Sequence, residues 1–314
     1  MLLNRAELLR RRLENLLRVA LLLLALTALA GLVGYLMAGW AGLAWTAALA
    51  GGGAFVLSRL PAQLVLNRAG ALPLAYEQSP QLYELLAELA RRAGLGGVPT
   101  LHYVPDGQLN AFAVGSGGRG GIAVTQGLLS TLSLRETAAV LAHELSHLRH
   151  GDTRIMALAA LLTQAVMYLA FLAQLLVLLS LPWLLIEGEL GGPSLVTLLL
   201  VVFAPSAAIL LQLGLSRTRE YAADLEAAAL TGDPEGLARA LRTLERYQSA
   251  WLESIFGYRR GLPQHPWLTT HPPIGERVRR LQALGRPPHP PVTGPGSHDG
   301  HAHGWVAIPV RRGR

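Results

Sequence analysis

"AAVLAHELSHLRHGD", residues 138–152, is the stretch on which the reading of this chain turns. It holds His143-Glu144-Leu145-Ser146-His147, a match to the pattern H-E-x-x-H. That pattern has chemical meaning on a helix, where positions four apart share a face. There His143 and His147 can both direct a ring nitrogen at one cation. Glu144, beside them, can reach water bound to that cation. The flanking residues supply the helix. Ser133-Leu134-Arg135-Glu136 fits a capping box and places a helix start at Ser133. Gly151 suits the other end. A catalytic zinc site needs three protein ligands and an open position, so a third ligand must come from elsewhere in the chain.

Composition narrows the class of protein around this motif. The 314 residues are 51% hydrophobic and only 15% charged, with mean hydropathy +0.35. Soluble domains carry about 25% charged residues, so the deficit points to a membrane protein. The chain has no cysteine, which excludes disulfides, thiolate metal sites and a cysteine nucleophile. Any metal is held by His, Asp or Glu. The net charge of +7 comes from 27 basic residues, all arginine. They are scattered or stand beside apolar runs, and aromatics make up only 6% of the chain. No basic stripe with stacking aromatics exists, so nucleic acid is not an expected partner.

Four segments are long and apolar enough to cross a bilayer, or nearly so. They run from about Leu16 to Met37, Ala41 to Leu57, Ile155 to Leu181 and Leu195 to Leu215. The first exceeds the roughly 7–15-residue apolar core of a signal peptide and lacks a convincing cleavage site, so it reads as a retained helix. Gly31, Gly34, Gly39, Gly42 and Gly51 to Gly53 predict close packing of the first two helices through small residues. Arginines set the orientation. Arg5, Arg10, Arg11, Arg12 and Arg18 precede the first span or stand near its start, Arg59 and Arg68 follow the second, Arg149 and Arg154 precede the third, and Arg217 and Arg219 follow the fourth. The connection from Pro182 to Pro193 holds only Glu187 and Glu189 as charges. All basic clusters fall on one side, which is the cytoplasmic side by the distribution of positive charge. Both termini and the polar segments are therefore expected in the cytoplasm, in a multi-pass protein of the cell (inner) membrane.

The polar segments predict a mainly α fold with a small β-sheet. Residues 80–93 and 234–250 read as amphipathic helices, and 99–104, 110–114 and 121–125 as strands. Gly115-Ser-Gly-Gly-Arg-Gly120 lacks the Lys-Ser/Thr ending of a phosphate loop and reads as a hairpin turn. The expected organisation is an N-terminal transmembrane hairpin (1–60), a first catalytic part with an edge strand and the H-E-x-x-H helix (61–154), a second transmembrane hairpin (155–215) and a second catalytic part with the third zinc ligand (216–286). A Pro-, Gly- and His-rich tail (287–314) reads as disordered.

Beyond the fourth apolar segment lies Ser216-Arg-Thr-Arg-Glu220-Tyr-Ala-Ala-Asp224. On residue types alone, Glu220 and Asp224 read more readily as a solvated acidic pair beside Arg217 and Arg219 than as a ligand and its partner. His271, before two prolines, reads as a loop histidine. Three motifs in order change that balance. H-E-L-S-H followed by Gly151-Asp152, then S-R-T-R-E-Y-A-A-D, then Thr270-His-Pro-Pro273 resemble the HtpX-type membrane metalloproteases, relatives of the CAAX prenyl proteases. Asn110-Ala111-Phe112 matches a further element, and the resemblance covers roughly residues 10–285.

The resemblance implies a zincin-like metalloprotease domain built around four transmembrane helices. It implies Zn²⁺ held by His143, His147 and Glu220, with Glu144 as the catalytic base and Asp224 orienting a ligand histidine. It implies that the strand at Asn110, Ala111 and Phe112 pairs with substrate backbone. It places His271 near the scissile carbonyl as a catalytic residue, with Arg277 beside it at the substrate. The activity so implied is a zinc-dependent endopeptidase cleaving misfolded or damaged membrane proteins at the cytosolic face, with polypeptides and the lipid bilayer as partners. Two other readings stand beside it: a CAAX-type protease acting on prenylated peptides, and a non-catalytic membrane scaffold that binds metal. An intact Glu144 argues against the scaffold, which needs the ligands but not the base.

Overall fold

In a computed structural model of the chain, residues 5–187, 195–256 and 273–284 are described. The expected 287–314 tail and His271 lie outside them, as does the connection 188–194. Two units emerge. One comprises residues 9–60 and 154–218, and the other holds, of the described residues, 5–8, 61–153 and those from 219 onward.

The first unit is built from long apolar helices. Helix α1 (Arg5–Arg59) is interrupted at Ala38 and Gly39, whose backbone angles leave the helical region. The interruption splits it into two arms at the position where the sequence separates its first two spans. Helices α6 (Asp152–Glu187) and α7 (Leu195–Thr231) carry the remaining apolar segments. Each of the three helices has the length and composition to cross a membrane. Small residues face inward, with Ala30 of α1, Ala159 of α6 and Ala204 and Ala208 of α7 in one buried cluster. Leu26, Leu162 and Leu215 are buried with them, while many other large residues face outward: Leu21, Leu24, Phe171, Leu179 and Phe203 are all exposed. A soluble protein buries such side chains; a surface of this kind suits lipid. The two arms of α1 touch backbone to backbone. A Cβ on Gly42 would stand 1.9 Å from the Gly34 carbonyl oxygen, so no larger residue fits. Gly31 faces Leu43 in the same contact, whereas Gly51 and Gly52 meet nothing and Gly53 faces Leu161 of α6. The glycine packing is thus confined to the end of the hairpin near the break.

The second unit is α+β. Strands β1 (Leu72–Pro73), β2 (Thr100–Val104), β3 (Ala111–Val114) and β4 (Gly121–Thr125) form a sheet in the order β1-β2-β4-β3. Strands β2 and β4 run parallel, while β3 and β4 form an antiparallel hairpin through the glycine-rich turn. Strand β3 is therefore an edge. Helix α3 (Pro80–Arg92) buries Leu82, Leu85, Leu86 and Leu89, the stripe its apolar spacing dictates. These pack with Ile122 and Val124 of β4, Leu141, Leu145 and Leu148 of α5 (Leu134–His150), and Leu237 and Leu241 of α8 (Pro234–Phe256). Helix α5 is thereby buried on most sides, which fixes the bearing of its polar residues. The short helices α2 (Ala62–Arg68), α4 (Gln126–Thr131) and α9 (Ile274–Gln282) add to the elements expected from sequence.

Candidate metal centre

Helix α5 begins as its residues require. The Ser133 hydroxyl accepts from the Glu136 amide, and the Ser133 amide donates to the Glu136 carboxylate. The helix ends at Gly151, with φ 67° in the left-handed region. In between, one turn separates His143 from His147, and the two rings meet edge to face with centroids 4.7 Å apart. Their Nε2 atoms lie 3.2 Å apart. Helix α7 supplies Glu220, with carboxylate oxygens 3.5 Å from His143 Nε2 and 4.0 Å from His147 Nε2. His143 and Glu220 are buried, while His147 is partly exposed.

One ligand atom from each of the three side chains fits within 4.8 Å of the others. At zinc–nitrogen and zinc–oxygen distances of about 2.0–2.1 Å, tetrahedral ligands stand about 3.3 Å apart, so the spacing suits an ion at the centre. The outer nitrogens agree. His147 Nδ1 lies 2.7 Å from Asp152 Oδ2 and His143 Nδ1 lies 3.1 Å from Asp224 Oδ1. The Asp152 carboxylate retains the proton on His147 Nδ1 and turns that Nε2 lone pair inward, and Asp224 stands beside His143 Nδ1 on the same side of its ring. Two inward lone pairs and a carboxylate are a donor set for a cation.

Electrostatics in the metal-free cluster point the same way. Burial alone would lower the His143 pKa, but Asp224 and Glu220 outweigh it and the imidazole is pushed up to about 10. The cluster thus attracts positive charge strongly enough to hold a proton. Burial also raises the Asp224 carboxyl, yet Arg277 and His143 more than compensate and hold it below the usual range. Glu144 differs. Burial pushes its carboxyl up, against the pull of His147 and His143 and of the Ala113 amide, which donates to it. It is partly exposed, unlike the buried Asp224 and Glu220.

Ala113 belongs to edge strand β3. Its carbonyl accepts from the Thr153 hydroxyl at 3.2 Å. Asn110, by contrast, turns its backbone to β4: its amide donates to Thr125 Oγ1 and its carbonyl accepts from the Thr125 amide. Backbone direction alternates along a strand. Ala111 therefore shares the outward bearing of Ala113. The partly buried Phe112 side chain packs with Leu66, Ala71, Val114 and Ala123.

Arg277 of α9, expected beside the substrate, stands against the carboxylates of the site. It is buried, and its guanidinium makes a two-pronged contact with Asp224 at 2.7 and 2.6 Å and lies 3.1 Å from Glu220. A guanidinium is drawn to paired carboxylates because its planar fork matches theirs. Asp152, the second residue of the Gly151-Asp152 motif, joins the site at His147 Nδ1. Gly151, in the left-handed conformation, turns the chain so that the next residue lies back against α5.

Comparison with known proteins follows the same residues. The model for peptidase family M48 matches residues 77–284, which include every site residue named above. The chain is 39% identical over 290 residues to a "Protease HtpX homolog" of Acidiphilium cryptum, covering 87% of this chain and 97% of that protein. A protein of the same name from Pyrococcus abyssi is 36% identical over 282 residues, covering 85% and 95%. One from Aquifex aeolicus is 34% identical over 274 residues, covering 81% and 88%.

Proposed function

Because the chain belongs to peptidase family M48 and is a membrane protease of the metallo type, we propose that it is a zinc-dependent endopeptidase acting on the cytosolic side of the cell membrane. The observation that carries this reading is the convergence of His143, His147 and Glu220 with Glu144 one residue from the first ligand. Two imidazoles and one carboxylate suit zinc and leave a coordination position open. Bound there, Zn²⁺ supplies Lewis acidity and makes its water a stronger acid.

The chain's residues do the rest. Glu144 takes a proton from the attacking water onto its carboxylate and returns it to the leaving amine. Its partial exposure supports this role, since the base must meet both water and substrate. The Ala113 amide fixes the carboxylate, and the outward backbone of Ala111 remains for an extended peptide to pair with. Asn110, exposed at the start of that strand, flanks the same edge. Asp224 orients His143, and Arg277 holds Asp224 and Glu220 together. His271 is assigned to oxyanion stabilisation through the Thr-His-Pro-Pro motif.

The arginine distribution supports a cytosolic site. The ligand segments also adjoin the third and fourth apolar segments in sequence, so a protease anchored by such helices meets other membrane proteins most readily. Damaged or misfolded membrane proteins are the substrates of this reading, and quality control is the role. The test is casein cleavage by the detergent-purified protein, with zinc and with a chelator. Cleavage that the chelator abolishes and zinc restores supports the reading. Equal cleavage in both arms overturns it.

A further inference from the structure

Asp152 is the first residue of α6, placed against α5 by the left-handed turn at Gly151. One of its oxygens lies 2.7 Å from His147 Nδ1, and the other pairs with the guanidinium of Arg219 on α7. Both Asp152 and Arg219 are only 3% exposed. An aspartate buried this deeply is stable as an anion only with a partner, and Arg219 is that partner.

The arrangement repeats on the other ligand. Arg277 holds Asp224, and Asp224 stands 3.1 Å from His143 Nδ1. Two chains of Arg, Asp and His thus end on two Nε2 atoms 3.2 Å apart. Three helices contribute to the first chain: α5 gives His147, α6 gives Asp152 and α7 gives Arg219. In sequence, Asp152 precedes the third apolar segment and Arg219 follows the fourth.

We propose that Asp152, held by Arg219, is a positioning residue for His147. The carboxylate accepts the Nδ1 proton, fixing the tautomer and the ring plane so that the Nε2 lone pair is aimed before metal arrives. Arg219 holds the carboxylate in place against the ring. The pair also joins the two chain positions that bracket the second apolar hairpin, and metal retention depends on their staying joined. A buried ion pair that served only to hold α6 to α7 would have no reason to spend an oxygen on the ligand.

The proposal rests on His147 being a metal ligand, and the experiment separates the two claims. The full-length protein in detergent is stripped of metal, then titrated with Zn²⁺ against a chromophoric chelator and with Co²⁺ by visible spectroscopy. Asp152→Asn should weaken Zn²⁺ binding about 10–100-fold and alter the Co²⁺ bands. Asp152→Asn combined with Arg219→Gln removes both buried charges. It should melt close to the unmodified metal-free protein yet still bind Zn²⁺ at least about 10-fold more weakly, a loss that a purely structural pair would not produce. Arg219→Lys keeps the charge and should restore most of the affinity lost in Arg219→Gln. His147→Ala is the control. If it loses the metal while the folded double variant binds Zn²⁺ within twofold of the unmodified protein, this proposal fails alone. If His147→Ala keeps both affinity and spectrum, the ligand assignment fails first.

Discussion

His143 Nε2 and His147 Nε2 face each other at 3.2 Å, while a carboxylate stands at the Nδ1 of each ring. With both protons on Nδ1, two lone pairs are opposed across the gap, and that is favourable only with a cation between them. Metal-free, the Asp224 and Glu220 carboxylates outweigh burial and favour a proton on His143, whose imidazole is pushed up to about 10.

A dependence on pH follows. His143 is an ordinary histidine near 6.5 in the unfolded chain and titrates near 10 in the metal-free fold. A raised folded pKa stabilises the fold fully below the unfolded value and loses that contribution as pH rises through the folded value. The metal-free protein should therefore melt at lower temperature as pH climbs from about 6.5 toward 10. Metal uptake runs the other way, because the ligand must shed its proton. Calorimetric titration with Zn²⁺ at pH 7 in two buffers of different ionisation enthalpy should show about one proton released. Heats independent of buffer would contradict the electrostatics of the cluster.

Glu220 and Asp224 separate ligand from support. Glu220→Gln should strip the purified protein of most of its zinc. Asp224→Asn should weaken affinity about 10–100-fold, as loss of a partner behind a ligand does. Zinc per chain by atomic absorption checks the first and chelator competition the second. Full occupancy in Glu220→Gln would move the third ligand elsewhere.

The two arms of α1 offer a matched pair of substitutions. A Cβ on Gly42 would sit 1.9 Å from the Gly34 carbonyl oxygen, whereas one on Gly51 meets open space. Gly42→Ala should cost about 1–3 kcal/mol by forcing the arms apart. Gly51→Ala, inside a helix with no clash, should be neutral or stabilising by up to about 1 kcal/mol. Thermal unfolding in one detergent compares them, and equal behaviour would refute the contact.

Orientation is tested with reporters. A fusion after Arg286 should report cytoplasm and one at Glu187 the opposite side. The reverse pattern would carry the metal centre across the membrane.

Much of this was legible in sequence because local rules decided it. The capping box at Ser133, the apolar stripe of α3 and the arginine-flanked apolar runs each depend on neighbours within a turn or two. H-E-x-x-H needs only a helix to bring its histidines together. The contacts of Arg277 were not legible because its partners, Asp224 and Glu220, lie more than fifty residues away. No local pattern tells a substrate-facing arginine from one that bridges buried carboxylates. Asp152 depends on a single backbone conformation at Gly151, and a helix-period reading treats that glycine as a stop rather than as a turn that returns the chain. Helix α9 was passed over because its nine residues are too few for periodicity to stand out beside a Pro-rich stretch.

The choice between enzyme and metal binder rests on Glu144. Glu144→Gln keeps the side chain's size and removes the base, while His143 and His147 keep their nitrogens. Zinc per chain and casein cleavage are measured on the same preparation, with His143→Ala as the variant that loses both. Glu144→Gln should hold zinc near stoichiometry while cleavage falls about 10²–10⁴-fold, the usual worth of a positioned general base. Cleavage at the unmodified rate, with zinc bound, would mean that Glu144 is not the base and that the mechanism proposed for this site is wrong.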